Sequence, residues 1–438
     1  MPSTATLQLA IIGSGPSGCY LAQSILRARP ETEITIFDRL PSPYGLIRYG
    51  VAADHQHTKA ITRQFERLFA DPRVRFAGNI DVGRDLDTAQ LRDAFDAVVL
   101  ASGLAGDRPL EVPGGSLAGV YGAGALTRIL NSHPGERPEF PDLGTDVVII
   151  GGGNVAIDLL RFLVKDRAGY LASDIADHAL DRYLAQPAER VTLLNRSRAA
   201  DAKSDPQMIR ELAALERAHY DAPELGDTAP IEGDRAASAR LAAFAELTSA
   251  ERTGGPGPKV TIRFGATPLR ILDERAAGAV SAVECSIGDS VESIPATAVI
   301  TAIGFTPADD LLTGLLAAHG APEHATTGRI APGLYRTGWA KRGPRGAIPE
   351  NRSCAKEVAD EIAADLDSGA LVARGVAGFA ALPAKVQDQA VTYDEWLHID
   401  QRERDLASPD RVRRKLTDSR AMIDIARTSP STERNPHQ

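Results

Sequence analysis

The chain has 438 residues, with 49 lysines and arginines against 58 aspartates and glutamates, a net charge of −9 and a pI near 5.6. That balance argues against general binding to nucleic acid or anionic membranes, and the length exceeds what one ordinary core fills, so two domains are expected. No apolar run is long enough to span a bilayer, and no charged segment precedes a hydrophobic one at the N-terminus, so a soluble cytoplasmic protein is expected.

Three cysteines, Cys19, Cys285 and Cys354, are widely spaced and form no Cys-x-x-Cys pair. They encode neither a disulfide framework nor a redox dithiol, and they are too few to hold an iron–sulfur cluster on four thiolates. Any such cluster therefore belongs to a partner. His55 and His57 form a close pair without a convincing set of further ligands, so no metal site is expected.

In chain order, residues 1–6 read as a short unstructured start and 428–438 as a disordered tail. Between them apolar runs alternate with helical patterns, the signature of parallel sheets covered by helices. The run at 9–12 enters Gly13-Ser14-Gly15-Pro16-Ser17-Gly18 and then a small-residue amphipathic segment: strand, tight turn, helix start. In this spacing Gly13 turns the backbone, Gly15 omits a Cβ where phosphates approach, and Gly18 lets the helix pack on the strand. The helix N-terminus then presents free N–H groups and partial positive charge to a pyrophosphate. A second strand at 34–37 ends in Asp38, twenty residues past Gly18, where a carboxylate accepts hydrogen bonds from ribose hydroxyls. Residues 60–69 are amphipathic and helical, and 95–103 is a buried strand ending in small residues, Ser102 and Gly103 among them. Loop punctuation at 111–115 and at Gly144 marks a domain crossing.

The opening pattern then returns. Residues 146–150 run into Gly151-Gly152-Gly153-Asn154-Val155-Ala156, with alanine in the third packing position. Two nucleotide-binding folds in one chain are far more specific than either loop alone. After a helical insertion at 166–190, the strand at 191–194 ends in Asn195-Arg196-Ser197-Arg198, with no acid. A carboxylate here would repel a 2′-phosphate, whereas guanidinium groups clamp one. The first site is therefore read as holding FAD by its adenosine half and the second as holding NADPH. Residues 205–219 read as helical, 225–258 as rich in alanine, glycine and charge with poor periodicity, and 259–303 as several short strands. Residues 301–307 echo 97–103, consistent with a crossing back. A helix is expected from about 350 to 366, its N-terminus aided by Lys341 and Arg342 in stabilising negative charge on a reduced flavin.

With these residues in place the chain resembles the adrenodoxin reductase family of ferredoxin–NADP+ reductases, including its actinobacterial members, from about residue 8 to 425. The most specific pieces are the Gly13–Gly18 loop, 43–55 (Pro-Tyr-Gly-Leu-Ile-Arg-Tyr-Gly-Val-Ala-Ala-Asp-His), 153–158 (Gly-Asn-Val-Ala-Ile-Asp), Arg210-Glu211-Leu212, and 338–346 (Gly-Trp-Ala-Lys-Arg-Gly-Pro-Arg-Gly). The resemblance implies an α/β fold of two Rossmann-like domains: a glutathione-reductase-like FAD domain, 1–106 and 332–438, and an NADP domain, 107–331. It implies a monomer in which NADPH reduces FAD and the electrons pass to an iron–sulfur ferredoxin that feeds cytochromes P450 or similar acceptors. Gly13, Gly15, Pro16, Ser17, Gly18, Asp38, Arg39, Ser102 and Gly103 would bind the FAD phosphates and ribose side. Gly45, Leu46, Trp339, Gly346, Ala347 and Ile348 would line the isoalloxazine. Gly151, Gly153, Asn154, Val155 and Ala156, with Arg196, Ser197, Arg198, Glu211 and Gly346, would bind NADPH. His55 and Glu211 match a family pair near the nicotinamide and flavin edge that orients the cofactors.

Two positions depart from the family pattern. The adjacent arginine pair is Arg196-Ser197 here, with Arg198 one step later, and an acidic position three residues before Glu211 is Met208. Both fall on the coenzyme and partner side, leaving open a flavin-dependent NAD(P)H oxidoreductase or oxygenase acting directly on a small molecule. For docking of an acidic ferredoxin, Arg210, Arg235 and Arg240 are the candidate basic face.

Overall fold

In the computed structural model, which describes residues 5–249, 256–274, 276–308 and 310–428, the apolar run after Leu7 becomes strand β1, Gln8–Ile12. The small-residue segment after the glycine loop becomes helix α1, Pro16–Ala28, and the next apolar run becomes β2, Glu33–Phe37. Strands β3, Val74–Ala77, and β4, Ala97–Leu100, flank β1 and β2 in parallel within a six-stranded sheet. Its order is Arg329–Ala331, Leu334–Arg336, β4, β1, β2, β3, and only the outermost Arg329–Ala331 runs antiparallel.

The strand β1 is an unbroken apolar run because both of its faces are covered. Leu9 and Ile11 face α1 and the long helix Ile348–Ser368, meeting Leu21, Ile25, Val358 and Ile362. Ala10 and Ile12 share the opposite face with Val98, Leu100, Leu312 and Leu316. Each buried leucine or isoleucine contributes about 1.5–3 kcal/mol, so this stack is a principal source of stability in its unit.

A second six-stranded sheet, wholly parallel, orders as Val120–Gly122, Ala298–Thr301, Asp146–Ile150, Arg190–Asn195, Lys259–Phe264 and His219–Asp221. Val147 and Ile149 face the helix Asn154–Val164, and Val148 and Ile150 face a three-stranded antiparallel sheet through Val283, Cys285 and Ile287. That second layer was not separated from the parallel strands in the sequence. Residues 225–258, without clear periodicity in the sequence, contain a 13-residue helix, Arg235–Leu247, whose alanines dilute the apolar stripe of Leu241, Phe244 and Leu247.

The chain divides into two compact units. One runs to Val51 and then takes His55–Ala105 and everything from Thr306; the other takes Ala52–Asp54 and Gly106–Phe305. The return therefore falls at Phe305 rather than at residue 331, where the sequence boundary was drawn. The reason is the helix Asp310–Ala318, whose Leu312 and Leu316 pack on the face of the first sheet that carries Leu100. The short Ala52–Asp54 excursion is a second difference: the backbone of Asp174 donates to the Ala53 carbonyl, which ties the segment into the second unit. The expected tail at 428–438 lies, beyond Thr428, outside the described residues.

Candidate functional site

In the first unit, Gly13 has φ +112°, and a Cβ there would sit 2.4 Å from the Ala101 carbonyl oxygen. Only glycine fits this turn, so the loop stays pressed on the residues that follow β4, just before Ser102 and Gly103. At Gly18 a Cβ would lie 2.0 Å from the Gly13 oxygen, and this close approach seats α1 against β1. The helix begins with Pro16 at N1 behind Gly15, and no side chain caps it, so its first N–H groups await an acceptor.

Gly15 faces Gly45: the two bare Cα positions approach so closely that a Cβ on Gly45 would stand 3.0 Å from the Gly15 Cα. Tyr44 N donates to the Ser14 carbonyl at 3.2 Å, which holds the 43–46 segment, with Leu46 at its end, beside the glycine loop. The 338–351 segment is also drawn here. Ser17 Oγ donates to Asn351 Oδ1 at 3.0 Å, and Trp339 Nε1 donates to the Gly346 carbonyl at 3.3 Å. Ala347 and Gly346 are exposed, and Ala347 N donates to Glu350 at 2.9 Å, closing the first turn of Ile348–Ser368. Backbone from three places in the sequence thus converges on one glycine-lined surface, which fits a dinucleotide.

Asp38 is less available than its position suggests. Its Oδ2 accepts both Ser14 N, at 3.0 Å, and Ser14 Oγ, at 2.5 Å, while Oδ1 accepts Leu40 N at 3.0 Å. Burial raises its pKa, and the bonds from Ser14 and Leu40 oppose that rise. A ribose hydroxyl would reach the remaining acceptor direction on Oδ1. Arg39 is exposed beside it.

One expectation is corrected. Lys341 does not reach outward: it is 3% exposed and donates to Glu357 at 2.9 Å, and Arg342 donates to Asn351 Oδ1 and the Arg345 carbonyl. Charge near the start of Ile348–Ser368 therefore comes from the helix N-terminus and not from a free lysine.

The second unit repeats the turn. Gly151 has φ +141°, and a Cβ there would lie 2.3 Å from the Ala302 oxygen. Around Gly153 there is open space, since a Cβ would meet nothing within 4 Å. The Asn154–Val164 helix has no side-chain cap, Val155 is partly buried, and Ala156 is fully buried in the core. The Asn154 side chain accepts Asp205 N at 2.8 Å and so holds the loop ahead of Pro206–Ala213. Asn195 is buried against Gly152 and accepts Ser197 N at 3.1 Å, a bracing role the sequence did not reveal. The exposed Arg196 makes no hydrogen bond or ion pair with the described residues, whereas Arg198 is paired with Asp201 at 2.9 Å.

His55 stands at the start of a short helix, Gln56–Lys59, in the first unit, its ring 5.8 Å from that of His57. Glu211 lies on Pro206–Ala213 in the second unit, 3.9 Å from Arg161. Arg161 is the hub of a polar cluster that the sequence did not reveal, although Asp54, Asp158 and Glu211 each stand in its family-specific stretches. Its Nη2 reaches Asp54 at 2.5 Å and its Nη1 reaches Asp158 at 3.1 Å, and Lys165 also pairs with Asp54. Burial pushes the Asp158 carboxyl up to about 7, with Asp54 and Glu211 adding to the rise and Arg161 opposing it.

Of the three candidate docking arginines, Arg235 is exposed, Arg210 lies 3.7 Å from Glu246, and Arg240 is committed to the Ser204 and Ala200 carbonyls. The thiols of Cys19 and Cys285 are pushed up by burial. No group of three or more His, Cys, Asp or Glu among the described residues is arranged to hold a metal ion, and no helix among them is long and apolar enough to cross a membrane. A concavity of about 540 Å³ lined by Gln8, Glu33, Val74 and Phe379 opens at the starts of β1–β3, the edge opposite the glycine loop, where open α/β sheets do not place their ligands.

Residues 7–217 match the family described as pyridine nucleotide-disulphide oxidoreductase. A cindoxin reductase from Citrobacter braakii is 40% identical over 421 residues, 96% of this chain and 91% of that protein. The mitochondrial NADPH:adrenodoxin oxidoreductase of Arabidopsis thaliana is 32% identical, with 92% of each chain covered. Among solved structures, Mycobacterium tuberculosis FprA in complex with NADPH superposes with a TM-score of 0.83 at 31% identity, covering 96% of this chain and 99% of that one.

Proposed function

The chain belongs to the adrenodoxin reductase-like ferredoxin–NADP+ reductases, and on that premise we propose that it carries electrons from NADPH through FAD to an iron–sulfur ferredoxin. The observation that carries this reading is the pair of glycine loops with opposite chemistry at the end of the following strand, Asp38 in one and Arg196 in the other. A carboxylate suits a ribose with free hydroxyls, and a guanidinium suits a 2′-phosphate.

The first site fits FAD, and when bound the flavin accepts a hydride from NADPH and releases its electrons one at a time. Gly13, Gly15, Gly18 and the uncapped start of α1 hold its pyrophosphate, Asp38 its ribose, and Gly45, Leu46, Trp339 and the backbone at 346–348 its ring. Gly151, Gly153 and the start of Asn154–Val164 hold the NADPH pyrophosphate, and Arg196 the 2′-phosphate. No side chain has to act as acid or base, because hydride transfer is a matter of positioning. His55 and Glu211 act as positioning residues for the nicotinamide end. A cytoplasmic location and a monomeric state complete the proposal.

Anaerobic addition of NADPH to the purified yellow protein should bleach the flavin, and an iron–sulfur ferredoxin should restore it. Flavin that stays reduced with every ferredoxin tried would move the reading to a small-molecule acceptor. The substitution Arg196→Ala should raise the KM for NADPH about ten- to a hundredfold and that for NADH less than about threefold.

A further inference from the structure

The connection after the strand Arg190–Asn195 carries three cationic side chains, and they are not equivalent. Arg196 is exposed and has no partner among the described residues, and Arg198, 83% exposed, has Nε and Nη2 both 2.9 Å from one oxygen of Asp201. Lys203 is exposed two residues further on. An exposed ion pair is weak where both partners are free to move apart. Asp201, however, is not free to leave: it ends a 3-10 turn, Ala199–Asp201, held in the core by Ala199, 3% exposed, and by Ala202 just after it, 2% exposed. The turn is braced again by Arg240, which donates to the carbonyls of Ala200 and of Ser204, the latter at 3.3 Å. At the near end Gly265 N donates to the Ser197 carbonyl at 3.1 Å. The fold therefore fixes a carboxylate on the same connection that offers the arginines.

We propose that Asp201 is a specificity-determining residue for the adenosine end of the coenzyme: it engages Arg198 and adds negative charge, leaving Arg196 as the one uncommitted guanidinium for a 2′-phosphate. This rests on the reading of the second loop as the NADPH site. A dianionic 2′-phosphate meets one fork-shaped donor in place of two and is repelled by the Asp201 charge. Discrimination between phosphorylated and unphosphorylated adenine dinucleotides is accordingly shallower than two free arginines would give. Lys203 supplies a point charge without the planar fork and adds little selectivity.

Calorimetric titration of the flavin-loaded protein with 2′,5′-ADP and with 5′-ADP tests this without turnover. Asp201→Asn should tighten 2′,5′-ADP about five- to twentyfold while moving 5′-ADP less than twofold, and 0.5 M salt should shrink that gain. Arg198→Ala should cost the parent protein less than about threefold but erase the gain in the Asp201→Asn background. An unchanged affinity ratio in Asp201→Asn, or a loss in Arg198→Ala or Lys203→Ala as large as in Arg196→Ala, overturns the proposal. If Arg196→Ala leaves both affinities unmoved, the coenzyme assignment of the site fails first.

Discussion

The two glycine loops are built alike at the turn and differently at the third position and beyond. In each, the first glycine has a positive φ, and a Cβ would strike the carbonyl of a residue following a neighbouring strand, Ala101 in one unit and Ala302 in the other. In the third position Gly18 tolerates no methyl, while Ala156 is fully buried as one. The following strand ends in an acid that the loop itself engages through Ser14, or runs into an arginine without a partner among the described residues. On the proposed reading, the shared part follows from what any pyrophosphate needs, and the divergent part decides which dinucleotide enters.

The largest expected effects break the shared part. Gly13→Ala and Gly151→Ala each put a Cβ into a backbone carbonyl at positive φ, a conformation that strains any L-residue. Gly13→Ala is expected to abolish flavin binding, read as the ratio of flavin to protein absorbance. Gly151→Ala should keep its yellow colour and lose 2′,5′-ADP binding by at least about a hundredfold. Loss of flavin from both variants in equal measure would mean that the loops do not serve separate ligands.

The units also differ in how they bury charge. In the first, Nη2 of Arg48 donates to both carboxylate oxygens of Glu403, at 2.5 and 2.6 Å, its guanidinium 4.8 Å over Trp396, with Glu403 fully buried and also accepting Leu416 N at 3.0 Å. Removing one partner leaves an uncompensated buried carboxylate, so Arg48→Met should destabilise the holoprotein by about 3–5 kcal/mol in urea unfolding. A cost under about 1 kcal/mol would show that Arg413, 3.6 Å from Glu403, takes over the charge.

In the second unit three carboxylates, those of Asp54, Asp158 and Glu211, gather around Arg161, and the balance tips the other way for Asp158. Its folded pKa, about 7, lies above the ordinary value near 4, so its contribution to stability is whole below about pH 4 and fades as pH rises through 7. The Asp158→Asn variant should match the parent at pH 4.5 and exceed it by about 1–2 kcal/mol at pH 8, a figure reduced from the full shift because the side chain is partly exposed. A variant less stable than the parent at pH 8 would show that the Arg161 pair outweighs burial.

Much of this was legible because it is local. The loops, the strands that feed them, Asp38 and Arg196 are set by residues within about thirty positions of one another in the first unit and about fifty in the second, where period and glycine spacing carry the signal. What stayed hidden is tertiary. Lys341 read as a cation beside the cofactor until Glu357, more than two turns into the following helix, claimed it. Asn195, which the sequence offered only as the end of a strand, proves to be a brace, and Asp54, which stood in the family-specific stretch 43–55, finds its partners Arg161 and Lys165 over a hundred residues away. The helix Arg235–Leu247 was missed since alanine serves a buried and an exposed face equally well.

The mildest test concerns the third loop position. Ala156 sits in the first turn of Asn154–Val164 with its methyl in the core, so Ala156→Gly removes one buried methyl and adds backbone freedom, together about 1–2 kcal/mol. The strand–helix spacing in this unit already accommodates a Cβ, so affinity for 2′,5′-ADP should hold within about twofold. The mirror change, Gly18→Ala, sets a Cβ 2.0 Å from the Gly13 oxygen, and α1 must move off β1 to admit it. Thermal unfolding and flavin content of the two variants then separate a glycine that the packing demands from an alanine that it merely prefers. Were Ala156→Gly to weaken the coenzyme tenfold, the second loop would depend on its helix seating as strictly as the first, and the contrast between them would reduce to charge alone.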